Sequence, residues 1–178
     1  RPLHFGGHQQ SGLRPGTLPL ALVRGMAEAL SIWRGELTGR TAHLEELRDR
    51  FEAALSAGWP EVVIHGIEAP RVPHTSCVSF SGLDRQALVM ALDIQHVACS
   101  TGSACASGST DPSPVLQAMG LEESLVEGAL RFSFGRHNQA AESHLAADLV
   151  ETTARRLRST NPSEKTVSKP PQQPAKRL

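Results

Sequence analysis

The amino-acid sequence predicts a domain of the α/β class, on three observations. Apolar residues recur every three or four positions over several segments. Shorter runs such as Val62-Val63-Ile64 and Ser76-Cys77-Val78-Ser79-Phe80 carry strand-forming residues. The two kinds of segment alternate along the chain, which is the signature of helices layered on a sheet.

Taken in order, residues 1–17 (RPLHFGGHQQSGLRPGT) are rich in Gly, Pro and Gln and predict a loop that uses glycine backbone freedom. From Leu18 a helix is expected, with Leu20, Val23, Met26, Ala27 and Leu30 at helical spacing and Pro19 tolerated in the first turn. A second helix is expected from about Thr41 to Ala57. Leu44, Leu47, Phe51 and Leu55 form its apolar face, and Gly58 and Pro60 stop it. The strand 62–64 comes next, then the rigid Pro70 to Pro73 turn and the strand Ser76 to Phe80. A helix follows from Asp84, a suitable cap, to Leu92, and Val97-Ala98-Cys99 reads as a brief strand. Residues 100–114 (STGSACASGSTDPSP) are small and polar, a long loop of the kind that carries function. A helix resumes over Val115 to Met119, a strand over Ala129 to Phe134, and an amphipathic helix over Gln139 to Arg158. Residues 159–178 lack aromatics and hold four of the twelve prolines, so a disordered tail is expected there.

Composition excludes several functions. The 178 residues carry 18 Lys+Arg against 18 Asp+Glu, which leaves no basic surface across the whole chain for nucleic acid. No apolar stretch approaches the ~20 residues that span a bilayer, so no membrane partner is expected. Three cysteines without short regular spacing fit a reducing, cytoplasmic setting better than a disulfide scaffold. All lysines, Lys165, Lys169 and Lys176, fall in the tail, which removes Schiff-base and P-loop lysines from the folded part. The chain opens on Arg1 in what reads as mid-sequence, so a fragment of a longer protein is expected.

Four positions invite chemistry. Cys105 lies among small neighbours (STGSACASG), where a thiol is exposed and movable, as a nucleophilic or transfer cysteine requires. Cys77 and Cys99 sit in or beside strand patterns and read as small core residues. His96 and Cys99 have the spacing H-x-x-C, but two ligands do not make a metal site, and no metal is expected. The glycine-rich loop ending at Thr17 reads either as an anion cradle or as a plain turn with a threonine cap. Arg131, within the strand LRFSF, would set a guanidinium on one face among apolar neighbours, and a semi-buried arginine there needs an anion: a structural carboxylate or a carboxylate ligand. Arg136 reads as ordinary surface.

Three motifs taken together, FGGHQQSGLRPGT, STGSACASGSTDPSPVLQAMGL and ALRFSFGR, resemble in order and separation the C-terminal part of cysteine desulfurases of the NifS/IscS type. These are class V aminotransferase relatives within the pyridoxal-phosphate fold-type I enzymes. The resemblance covers roughly residues 5–157. It implies the small C-terminal domain of such an enzyme (residues 38–158), a short sheet packed by helices. Ahead of it would come the end of the large domain (residues 1–37), a phosphate loop and a connecting helix. It implies that Cys105 takes sulfur from L-cysteine as a persulfide, releasing L-alanine. Arg131 would hold the substrate carboxylate, and Thr17 would reach the pyridoxal 5'-phosphate of the neighbouring subunit in a homodimer. A sulfur-acceptor or scaffold protein, as in iron–sulfur cluster assembly, is the implied partner. The family's cofactor lysine would lie upstream of residue 1, so the chain alone is expected to be inactive. The loop departs from the family pattern at His8, Gln10 and Pro15. Selenocysteine lyase, a cystine-cleaving relative, and a cofactor-free thiol carrier remain alternatives.

Overall fold

Helix α1 runs without interruption from Leu20 to Gly58. This corrects the expectation of two helices, the first from Leu18 and the second from Thr41. Gly35 and Gly39 lie between the two apolar stretches and cost a helix about 1 kcal/mol each relative to alanine. No proline intervenes, and acid–arginine pairs four residues apart bridge successive turns: Arg24–Glu28, Glu36–Arg40 and Glu46–Arg50. Helical propagation therefore continues through both glycines. Pro19 lies just ahead of the helix, and its carbonyl accepts from the N–H groups of Leu22 and Val23.

The computed structural model describes residues 3–102 and 112–160. The chain forms two units, Arg1–Arg40 and Thr41–Leu178. In the first unit, residues before α1 form a loop with a short 3-10 turn over Gln9–Gly12.

The second unit is built on a three-stranded antiparallel sheet of order β1-β2-β3: β1 Val63–Ile64, β2 Thr75–Ser79 and β3 Ala129–Ser133. Around it lie α2 (Arg85–Ile94), α3 (Pro114–Ala118), α4 (Glu123–Glu127) and α5 (Ala140–Thr160). Asp84 caps α2 by accepting from the Ala87 N–H at 2.8 Å, and Ser113 caps α3. His96 adopts φ 60° just past α2, and the Val97 N–H reaches back to the Leu92 carbonyl at 3.0 Å, a Schellman-type stop. The chain leaves that stop without building the short strand expected at 97–99; only Ser100 forms a single bridge, to Arg131. Helix α4 has no counterpart in the sequence expectation, since five residues are too few to show a period. Helix α5 continues through Thr160, past the expected start of the tail at 159. Residues 161–178 lie outside the described residues.

The two faces of the sheet differ. Opposed residues on antiparallel strands share a face. Ser76, Val78, Leu130 and Phe132 thus line one face. That face packs with Phe51 and Leu55 of α1, Leu88 and Leu92 of α2, and Ala147, Val150 and Ala154 of α5. Phe51 and Phe132 stack with centroids 4.8 Å apart, and Trp59 meets Phe80 edge-on at 5.6 Å. Gly128, just before β3, has no room for a side chain because the Phe80 carbonyl occupies the place of a Cβ. At one edge of this core, buried Glu52 receives both Arg71 guanidinium nitrogens, at 2.7 and 2.9 Å, and the Ser76 hydroxyl at 2.7 Å. Among the described residues, no helix is long and apolar enough to cross a membrane.

Candidate functional site

The second face of the sheet carries Cys77, Ser79, Ala129 and Arg131. Leu116 of α3 and Val126 of α4 pack on it around Ala129, with Cys77 and Leu121 at the margin. This cover is partial. Ser79 is buried beneath it, donating to the Leu125 carbonyl at 2.6 Å and sitting 2.6 Å from His65 Nε2. The hydroxyl gives its one proton to Leu125, so Nε2–H of His65 is the donor to Ser79. Burial lowers the His65 pKa, in keeping with a neutral ring.

Arg131 stands on the same face but outside this cover. Strand alternation places it between buried Leu130 and Phe132, and its side chain is exposed. Across one side it pairs with Cys77, and across the other it bridges Ser100 through two backbone hydrogen bonds of 2.7 and 3.0 Å. Among the described residues no carboxylate pairs with its guanidinium. The structural ion pair that such an arginine would otherwise need is therefore not formed by the described residues. An exposed guanidinium on a rigid strand can take a carboxylate in a two-pronged contact.

Ser100 is the first residue of the long loop. Its hydroxyl donates to the Gly102 carbonyl at 3.2 Å, so the start of the loop is tied to β3 and to itself. Cys105, the expected sulfur acceptor, lies outside the described residues. It follows Ser100 by five positions in the sequence, a span of at most about 18 Å for extended chain.

The other two cysteines are half-buried and unbonded. Burial pushes the Cys77 thiol up, opposed by the positive charge of Arg131. Burial also pushes the Cys99 thiol up to about 11, with the Asp93 charge adding to the effect. Neither is poised as a thiolate.

Thr17 belongs to the first unit and is exposed, three residues ahead of α1. It is not the helix cap that the plain-turn reading required. Its hydroxyl makes no hydrogen bond among the described residues, while its carbonyl accepts from Arg14 Nη1 at 3.3 Å. The loop before it is unusual: Gln10, Ser11 and Gly12 take φ of 54°, 56° and 75° in succession. Two of these are not glycine, and each such residue costs on the order of 1–3 kcal/mol. Residues that sequence reasoning passed over are Ser100, Gln9 and Arg14. Ser100 had a signal, the abrupt change from apolar to small polar residues after Cys99; Gln9 and Arg14 had none beyond lying in the loop.

Known proteins are similar to this chain in sequence and in fold. Residues 4–144 match the family described as Aminotransferase class-V. The cysteine desulfurase IscS of Methylococcus capsulatus is 40% identical over 160 residues, which are 90% of this chain and 39% of that protein. The cysteine desulfurase IscS of Neisseria gonorrhoeae is also 40% identical over 160 residues, with the same coverage of 90% and 39%. Among solved structures, a NifS-like protein superimposes with a TM-score of 0.73 at 29% identity, over 88% of this chain and 39% of that one. A NifS-like protein from Rickettsia africae shares the fold with a TM-score of 0.72 at 22% identity, over 86% of this chain and 39% of that one. The chain thus spans about two-fifths of the length of the relatives it matches.

Proposed function

Because the chain belongs to the class-V aminotransferase family, as a portion matching the NifS/IscS-type cysteine desulfurases, we propose that the protein containing it takes sulfur from L-cysteine onto Cys105 and releases L-alanine. In this reading residues 1–37 end the large domain and residues 38–158 form the small one. The enzyme is a homodimer that works in the cytoplasm with pyridoxal 5'-phosphate and passes its persulfide to an acceptor protein, for cluster assembly or other sulfur delivery.

The residues present fit the outer contacts of that cofactor and its substrate. Thr17 offers an exposed hydroxyl without a partner among the described residues, suited to a phosphate oxygen of the neighbouring subunit's cofactor. Arg131 offers its fork to the carboxylate of cysteine. None of residues 1–164 is a lysine, so the covalent anchor of the cofactor is not among them. Bound, pyridoxal phosphate supplies an electron sink for the substrate carbon that bears the amine.

The chemistry left to this chain is binding and sulfur acceptance. Arg131 fixes one end of the substrate on a strand whose neighbours are buried, so the fork does not wander. The Cys105 thiolate attacks the substrate sulfur; a sulfur–sulfur bond forms and the carbon–sulfur bond breaks. The carbon keeps the electron pair and leaves as alanine after protonation. Cys77 and Cys99, held as thiols by burial, do not compete at neutral pH.

The observation that carries this reading is Arg131: an exposed guanidinium with no carboxylate partner among the described residues, hydrogen-bonded through its backbone to the first residue of the Cys105 loop. The test is turnover by the full-length protein. Equimolar alanine and transferable sulfur from L-cysteine support the reading. Alanine from selenocysteine alone would move the protein to the selenocysteine lyases, and no alanine from either would reject it.

A further inference from the structure

Thr17 is held by two side chains of its own loop. Arg14 Nη1 donates to two successive carbonyls, Gly16 at 2.9 Å and Thr17 at 3.3 Å. From the other side, the Gln9 carboxamide oxygen accepts the Gly16 N–H at 3.3 Å, seven residues along the chain. The left-handed run Gln10–Ser11–Gly12 turns the chain back so that Gln9 reaches Gly16. Two glycines make the arrangement possible. Gly16 has φ +94°, which favours glycine, and Gly7 leaves open the space that the Gln9 carboxamide fills, where a Cβ would collide with it. The backbone on the N-terminal side of the threonine is therefore fixed through both its N–H and its carbonyls, and the Thr17 hydroxyl is left without a partner among the described residues.

From this geometry we infer that Gln9 and Arg14 are positioning residues that aim the Thr17 hydroxyl at the cofactor phosphate, an inference that rests on the phosphate role proposed above for Thr17. Neither side chain needs to touch the phosphate. Their hydrogen bonds go to main-chain atoms of residues 16 and 17, so their effect passes through Thr17.

The experiment titrates the full-length apoprotein with pyridoxal 5'-phosphate and reads the dissociation constant from cofactor fluorescence, with the melting temperature of each apoprotein recorded beside it. Thr17→Ala removes a hydrogen bond to a charged group and raises Kd about ten- to a hundredfold. Arg14→Ala removes charge-assisted contacts to main-chain carbonyls and Gln9→Leu a neutral contact to a main-chain N–H. Each raises Kd about three- to tenfold at an unchanged melting temperature, because the effect reaches the phosphate only through Thr17. Gln9→Glu keeps an acceptor oxygen at the same reach and restores most of the affinity. The double variant Arg14→Ala/Thr17→Ala binds no more weakly than Thr17→Ala alone, because a positioning residue has nothing left to position.

The outcomes separate. A large effect of Thr17→Ala with none from Arg14→Ala and Gln9→Leu overturns the clamp while sparing the phosphate role. Multiplying effects in the double variant also overturn it, since the arginine then acts independently of Thr17. An unchanged Kd in Thr17→Ala overturns the phosphate role itself and the clamp with it. Should Arg14→Ala lower the melting temperature, the Gln9→Leu and Gln9→Glu pair decides.

Discussion

Ser100 and Arg131 exchange both of their backbone hydrogen bonds, Arg131 N–H to the Ser100 carbonyl at 2.7 Å and Ser100 N–H to the Arg131 carbonyl at 3.0 Å. This one bridge joins the strand that carries the proposed carboxylate anchor to the loop that carries the proposed sulfur acceptor. The side chain of Arg131 has no structural ion pair among the described residues, so its removal separates function from folding.

In the full-length protein, Arg131→Ala is expected to lower kcat/KM for cysteine by roughly ten- to a hundredfold, since a charge-assisted contact is worth about 1.5–3 kcal/mol. The melting temperature stays near that of the wild type. Arg131→Lys restores activity only in part, because a point charge replaces a fork. If Arg131→Ala unfolds the protein, or a folded Arg131→Ala enzyme keeps full kcat/KM, the anchor role is wrong.

Glu52 gives the opposite outcome. Glu52→Ala strands the Arg71 guanidinium and the buried Ser76 hydroxyl, and breaking a buried pair from one side costs about 3–5 kcal/mol. Urea unfolding reads this directly. A loss below about 1 kcal/mol, the range of exposed pairs, would mean that the pair behaves as a surface one.

His65 sets a pH dependence. Burial lowers its folded-state pKa below the ~6.5 of the unfolded chain, so between the two values the unfolded state binds more protons. This contribution to stability is full above pH ~6.5 and declines as the pH falls from there toward the lowered folded value. His65→Gln should flatten stability in that window. An unchanged slope in the variant would assign the acid loss to other groups.

Cys99 should resist alkylation. With its thiol pushed up to about 11, only about one molecule in ten thousand is a thiolate at pH 7. Timed labelling with iodoacetamide, followed by peptide mapping, should modify Cys99 far more slowly than an unperturbed thiol, with the rate still climbing above pH 10. A plateau near pH 8.5 would show that burial does not hold it.

Much of the second unit was legible in the sequence. The strand in ALRFSF and the final amphipathic helix were both expected. The sequence set Arg131 half-buried among apolar neighbours where the structure exposes it, and the core positions Ala147, Val150 and Ala154 of α5 emerge only from the packing. The joined helix was not legible, because Gly35 and Gly39 resemble terminators while the pairs Glu36–Arg40 and Arg24–Glu28 act only once a helix exists. The strand expected at 97–99 failed for a local reason, the left-handed helix stop at His96, which the run of apolar residues after it conceals. Thr17 and Arg131 were each visible as candidate anion partners, yet their chemical roles came from the resemblance and not from spacing. The clamp from Gln9 and Arg14 was invisible, since a side chain reaching seven residues ahead leaves no periodic trace.

Cys105 is the proposed acceptor of the sulfur, and its persulfide can be weighed directly. Full-length protein is incubated with L-cysteine, its thiols are capped without reduction, and each cysteine peptide is weighed by mass spectrometry. One added sulfur atom is expected on the peptide of Cys105, absent from the Cys105→Ser variant, which still binds pyridoxal 5'-phosphate. Added sulfur on Cys77 or Cys99, with Cys105 unmodified, would contradict that role.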